Sequence, residues 1–415
     1  MNAMKWILAA VLMSSCAVAS ANTLLIRNAQ THTMGAAGTL MSADILIRDG
    51  LIVELGQNVQ APPNTTELDA AGRPVTPALF AGITALGLNE IDMVMGSMDS
   101  AVTQIGSPHM RPEFSVLRAY NPHSGPIAIT RIEGFGFSLL GAVAGDSIMG
   151  GQGQTVRLDG GYESFVGDPV LFISIGGSAS SLAGGSRAAQ WMVLEQAVAE
   201  SRSTPRNGDH TLLTREGRAT LKQFQRQGKV VFSVHRASDI LQVLAFAKQN
   251  GFRAIIEGGT EAWMVATQLA EAKVPVLLDP LQNLPDTFDM LGARLENAAL
   301  LEAAGVTISF SGAGTHHARK QRQLAGVAAA NGLEHAAALA ALTRNPAEIF
   351  GLPGGRLEPG APADLVIWSG DPLELIESAD YVILGGQLQP MQSRQTQLRD
   401  RYLPRESRLP RAYLH

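Results

Sequence analysis

Side chains able to do acid–base or metal chemistry are scarce in this chain: nine histidines, six lysines and one cysteine among 415 residues. Imidazole exchanges protons near neutral pH and is a common metal ligand, so the histidines mark where chemistry could sit. His235 closes an apolar run that starts at Val230, and His316-His317 follow a later run in a loop. Glu257 and Asp279 end two further runs. Imidazoles and carboxylates gathered from successive strand ends would make a general acid–base set. Simpler uses compete at each position. His235 also fits a hydrogen-bonded histidine at a strand–helix junction, His316 and His317 a polar pair opening a helix, and Asp279, followed by Pro280, a cap. The nucleophile motif G-x-S-x-G is absent from the sequence.

These residues need a frame to position them. Between the runs beginning near Val230, Arg253, Val274 and Val306 lie helical patterns, at spacings of 23, 21 and 32 residues. Ser238 and Thr260 read as helix caps, Gly251 as a stop, and Gly228 and Gly305 as helix ends before a strand. Val230-Val231-Phe232 and Val276-Leu277-Leu278 carry no polar alternation, as expected of parallel strands covered on both faces. Repeated strand–helix units predict an α/β protein with a (β/α)8 TIM barrel. A doubly wound sheet is the other option, but no G-x-G-x-x-G follows the first central strand. Leu24 to Arg27, Ala43 to Arg48 and Ile52 to Leu55 read as short strands, the last two joined by an Asp49-Gly50 turn. Ala363 to Trp368 and Tyr381 to Leu384 return to that pattern. Both ends therefore suggest one small β domain built from both termini. The expected organisation is a signal peptide (1–21), the first part of that domain (22–75), the barrel (76–352), its second part (353–390) and a basic tail (391–415).

Lys5, the apolar stretch Trp6 to Ala19 and the small residues Ala19-Ser20-Ala21 form a secretory signal with cleavage after Ala21. Met13-Ser14-Ser15-Cys16 fits a lipobox poorly, and removal of Cys16 leaves a mature chain without thiols. The expectation is an exported, periplasmic protein without a membrane span, because the other apolar runs are shorter than about 18 residues. A net charge of −5 and no dense basic stripe inside the chain exclude general nucleic-acid binding. Six arginines between Arg394 and Arg411 make the tail basic; it reads as solvated chain, with anionic lipid or a partner protein as the alternatives.

Several segments resemble the amidohydrolase superfamily, in its imidazolonepropionase-like, exported branch. They are Ala43 to Ile52, Asp69 to Pro77, Leu342-Thr343-Arg344-Asn345-Pro346-Ala347, Gly355 to Gly360, Ala363 to Ile367 and Gly370 to Leu373. The resemblance spans about residues 23 to 390. It implies a TIM barrel, a β-sandwich from both termini, and a metal-dependent hydrolase of C–N bonds other than peptide bonds. The family's His-x-His falls on Ile83 and Ala85, its paired histidines on Ser233 and His235, the next histidine on Gly258, and the last-strand aspartate within Ser309 to Gly314. None of Lys222, Lys229, Lys248, Lys273 and Lys320 is expected inside a barrel strand. No cofactor is therefore expected, and a divalent metal such as zinc only in a rebuilt site. Two functions follow: a hydrolase with a degenerate site using His235 with some of Glu257, Asp279, His316 and His317, or a non-catalytic pseudoenzyme serving as a binding or structural subunit. The ligand is unspecified, and assembly is open between a homo-oligomer and a complex with a related amidohydrolase.

Other segments have milder readings. Gly150-Gly151-Gln152-Gly153-Gln154 reads as a tight turn ahead of an anion cradle, Ser124 as a helix cap beside an exposed His123, Glu90 as a loop-orienting residue, and Ser178 to Gly185 as a lid.

Overall fold

The computed structural model describes residues 23–91, 94–103, 106–107, 109–203, 210–312 and 314–403. The expected signal peptide with Cys16 and the last part of the basic tail lie outside them.

The ends of the described chain meet in one eight-stranded sheet. The N-terminal part gives β1 (Thr23–His32), β2 (Thr39–Arg48), β3 (Leu51–Gly56), β4 (Thr66–Asp69) and β5 (Pro74–Pro77). β14 (Leu365–Trp368), β15 (Ala379–Leu384) and β16 (Gln387–Leu388) join through an antiparallel β14–β5 ladder. Asp49 (φ 50°) and Gly50 (φ 83°) make the β2–β3 turn, the left-handed pair that matches hairpin twist. Alternate residues supply the core: Ile26, Ile45, Ile47, Ile52, Leu365 and Ile367 are fully buried together.

The central residues build the second sheet. Its strands follow sequence order: β6 (Leu79–Thr84), β7 (Phe135–Leu140), β8 (Met149–Arg157), β9 (Phe165–Ser174), β10 (Lys229–Val234), β11 (Arg253–Gly258), β12 (Val276–Leu278) and β13 (Ile308–Phe310). Helices α1 (Gly125–Arg131), α2 (Arg187–Arg202), α3 (Arg215–Phe224), α4 (Ala237–Asn250), α5 (Ala266–Ala272), α6 (Asn297–Ala303), α7 (Gln321–Ala330), α8 (His335–Ala341) and α9 (Arg344–Phe350) lie between or after them. The mixed α/β architecture and nearly closed sheet fit a TIM barrel. One strand departs from the regular repeat, since β8 runs antiparallel to both β7 and β9. The glycine-rich run 150–154 lies in this strand and not in a turn. A Cβ at Gly150 would stand 2.7 Å from the Ala142 carbonyl oxygen, and one at Gly153 would overlap that of Leu140. Close approach to neighbouring backbone requires those glycines.

Other local expectations shift. Gly251 (φ 75°) ends α4 and Gly305 (φ 84°) precedes β13 as read, but Gln227 (φ 65°), not Gly228, takes the left-handed position before β10. Arg236, not Ser238, stands at the N-cap of α4. Lys229 is the first residue of β10, so one lysine does fall inside a barrel strand, at its N-terminal end. Part of the basic tail is ordered: α10 (Arg394–Tyr402) starts at a capping box between Ser393 and Thr396.

Trp368 joins the terminal sheet to the barrel core. It is fully buried, donates from Nε1 to Thr76 Oγ1 at 2.9 Å, and lies under the Arg322 guanidinium, 4.7 Å from the ring centre. No helix among the described residues is long and apolar enough to cross a membrane.

Candidate functional site at the barrel mouth

The C-terminal ends of the parallel strands define the mouth, and the five candidates are distributed around it. His235 follows β10, Glu257 lies near the end of β11, Asp279 follows β12, and His316 and His317 lie in a 3-10 turn (Thr315–Lys320) after β13.

His235 is held from two sides. Its Nδ1 is 2.8 Å from Thr260 Oγ1, so the threonine read as a cap serves the imidazole instead. The segment after it is a short 3-10 turn (Ala262–Val265) leading into α5. The ring lies over Gly258 (φ 89°), where an ideal Cβ would stand 2.5 Å from Cε1 and 2.8 Å from Nδ1. Burial pushes His235 below the ordinary imidazole range, because a desolvated ring disfavours its charged form.

Glu257 is the register partner of Ser233 on the neighbouring strand. Desolvation raises its carboxyl above the usual carboxylate range, partly offset by a hydrogen bond from the Ser233 hydroxyl. Asp279 turns its Oδ1 to the Leu281 amide at 2.9 Å, as a capping residue does. The His316 and His317 rings lie with centres 3.9 Å apart and planes tilted by 48°. Desolvation and then the charge of His316 lower His317, while Asp279 pulls it upward. The geometry thus yields one grouping, His235 with Thr260 over Gly258.

The mouth is closed on its remaining side by hydroxyls that composition alone gave no reason to single out. The strand order runs from β13 to β6 without a ladder between those ends. Instead the Ile83 amide donates to Ser311 Oγ at 3.1 Å and the Ala85 amide to Thr315 Oγ1 at 2.9 Å. Gly82 allows the approach, since a Cβ there would lie 3.1 Å from Ser311 Cα. Thr84 and Ser138 share a 2.7 Å hydroxyl contact, and Ser138 also donates to the Gly82 carbonyl. The Ile83 side chain turns toward the residue just after β7, where a Cβ at Gly141 would lie 2.6 Å from its Cγ2.

The metal implied by the resemblance can be tested against these donors. Ile83 and Ala85 are hydrocarbons, Gly258 has no side chain, and Ser311 is hydrogen-bonded to the first strand. Among the described residues no three His, Cys, Asp or Glu side chains converge as an ion would need. The side chains at these positions do not fit a divalent ion.

Loops over the mouth are pinned by charge. Arg187 pairs with Asp239 on α4 at 2.9 Å and with Asp289, and Asp289 accepts from the Gly177 amide at 2.6 Å. Gln190 brackets Gly176 with two backbone bonds. The small-residue insertion is thereby fastened to the 279–296 loop and to α4. On another loop, Glu90 accepts from Asn121 at 2.9 Å and from Ser124 Oγ at 3.0 Å. The Ser124 hydroxyl is thus directed to Glu90, although the residue stands at the N-cap position of α1.

Known proteins share parts of this architecture. Residues 303–389 match the model of the amidohydrolase family. The amidohydrolase tasK of Hapsidospora irregularis is 36% identical over 122 residues, which is 27% of this chain and 12% of that protein's length. An amidohydrolase structure from Thermotoga maritima superposes with a TM-score of 0.78 at 24% identity, covering 88% of this chain and 99% of its own. A triazine hydrolase from Arthobacter aurescens gives a TM-score of 0.54 at 16% identity, with 91% and 98% covered. The C-terminal segment is thus similar to the amidohydrolase family, and the solved amidohydrolase structures share the fold of this chain.

Proposed function

We propose that this chain is a non-catalytic relative of the metal-dependent amidohydrolases, retained as a binding or structural subunit and exported to the periplasm. The observation that carries the reading is the seam at the mouth. The backbone at Ile83 and Ala85, where the resemblance puts the first two ligands, is bonded to Ser311 and Thr315, and Ser311 lies in the segment where it puts the aspartate. The His235 ring over Gly258 supports it further. The terminal sheet is read as a folded-over sandwich, because β1 pairs with β4 through residues 24–27 and with β5 through residues 30–31. Export rests on Lys5, the Trp6 to Ala19 stretch and Ala19-Ser20-Ala21.

Metal content decides the main claim. Purified protein incubated with zinc, manganese or iron and then desalted should retain less than a stoichiometric amount. One ion per chain, lost in His235→Ala, would overturn the proposal. As a subunit the protein should recover a second copy or a related amidohydrolase when purified at native level. A clean monomer without an interactor counts against that role.

A second reading is favoured by Glu257, whose raised carboxyl suits a proton donor. In it the barrel hydrolyses a C–N bond without metal, with Glu257 as acid and His235 as base. Chelator-resistant hydrolysis abolished by Glu257→Gln would establish it; its absence across amide and cyclic-amide substrates would remove it.

A further inference from the structure

The opposite end of the barrel carries charges that the mouth does not use. A groove of about 980 Å³ is lined by α4, α5 and the strand starts, including Lys229, Lys248, Arg253 and Lys273. That is half of the chain's six lysines, in a protein of net charge −5. A smaller hollow of about 350 Å³ shares Lys229 and Arg253 with it.

The placement of these cations is costly. Lys229 and Arg253 begin adjacent parallel strands and are register partners, and like charges set opposite one another destabilise a sheet. Lys229 is buried and takes Asp168 at 2.8 Å. Among the described residues Lys248, Arg253 and Lys273 make no ion pair. Two carboxylates line the groove, and one of them, Glu348, is already paired with Arg356. Lys248 and Lys273 stand at the C-terminal ends of α4 and α5, where the helix dipole accounts for a cation. Asp168 offsets Lys229, but neither a helix end nor an ion pair accounts for Arg253 beside it.

The groove also has apolar lining, with Leu241, Leu244, Val274 and Ile349 among its residues. Its volume lies within the roughly 300–1,000 Å³ typical of small-molecule sites. We propose that it binds an amphiphilic carboxylate, with the head group between Arg253, Lys229 and Lys273 and the apolar body along Leu241 and Leu244. A guanidinium presents a planar fork that matches a carboxylate, and a bound anion would relieve the Lys229–Arg253 opposition.

Calorimetric titration of the whole protein with decanoate, below the concentration at which decanoate self-associates, tests this. Decylammonium and decanol serve as probes of the same chain length without the negative charge. The expected result is one decanoate site, with both other probes weaker by about tenfold or more, the scale of lost charge-assisted hydrogen bonds. The double variant Arg253→Gln/Lys273→Gln should weaken decanoate by a similar factor. Leu241→Glu, at a position 39% exposed, is an independent arm if the double variant folds poorly, and it should also weaken binding. Absent decanoate binding, equal binding of the three probes, or affinity unchanged in a folded variant would each overturn the proposal.

Discussion

The imidazole of His235 occupies the space a side chain at position 258 would need: an ideal Cβ on Gly258 would lie 2.5 Å from Cε1. The two residues are therefore one unit. Gly258→Ala must place a Cβ at φ 89°, a conformation costing about 1–3 kcal/mol in itself, and must also displace the ring. His235→Ala removes only the second cost. Chemical denaturation of both single variants and the double variant should show non-additivity, with Gly258→Ala less harmful once His235 is gone. Strict additivity would disprove the contact.

The same histidine gives an acid-side stability slope. Its folded pKa is lowered by burial from the ordinary 6.5, so the unfolded chain takes up the proton first as pH falls. Stability is unaffected above that value and declines as pH drops below it toward the folded pKa. His32 and His317 are lowered as well, so the wild-type slope is shared. His235→Gln should reduce it without abolishing it, as read from melts at successive pH values.

Glu257 acts in the opposite sense. Desolvation raises its folded pKa above the ordinary 4.5, so the unfolded chain loses this proton first as pH rises. The destabilisation is absent below 4.5, grows as pH climbs from there toward the folded pKa, and persists above it. Glu257→Gln keeps the shape and should be more stable than wild type at neutral pH, with the gain vanishing in acid. A constant difference at all pH values would contradict the assignment.

The seam can be cut one hydroxyl at a time. Ser311→Ala leaves the Ile83 amide in β6 without its partner, and Thr315→Val the Ala85 amide just after it, at 3.1 and 2.9 Å in the native protein. An unsatisfied buried donor costs about 1–3 kcal/mol. Equilibrium unfolding should show such losses at unchanged m-value, whereas Ser203→Ala, on an exposed residue, should be close to neutral.

Arg187 should govern the loops over the mouth. Arg187→Met leaves the buried carboxylates of Asp239 and Asp289 without their cation, a loss of about 3–5 kcal/mol for a buried pair. Limited proteolysis should cut first between residues 176 and 187. Cleavage rates there equal to wild type would show that the backbone bonds to Gln190 alone hold the insertion.

What could be read in the sequence depended on the range of the interaction. The hairpin at Asp49-Gly50 and the apolar runs of β10 to β12 announce themselves because turn chemistry and burial pattern are local. The antiparallel β8 did not. Its glycines look like a turn until the carbonyls of Leu140 and Ala142 are seen behind them. His235 was marked by its place at a strand end, but its partner Thr260 is 25 residues away. Ser311 and Thr315 resembled ordinary loop residues, since their acceptor role depends on amides 228 and 230 residues earlier. Lys229 was missed as a strand residue because the strand starts one position before its apolar run.

The hydroxyl seam also bears on descent. Turning Ile83 or Ala85 into a ligand would add one donor to a mouth lacking the others, and a side chain at 258 would first have to expel His235. Exchanging Ser311 for an acid would strip an amide of its acceptor before any ion could repay the loss. On the proposed reading, each step toward a metal centre lowers stability before an ion could bind, so single substitutions preserve this mouth more readily than they change it.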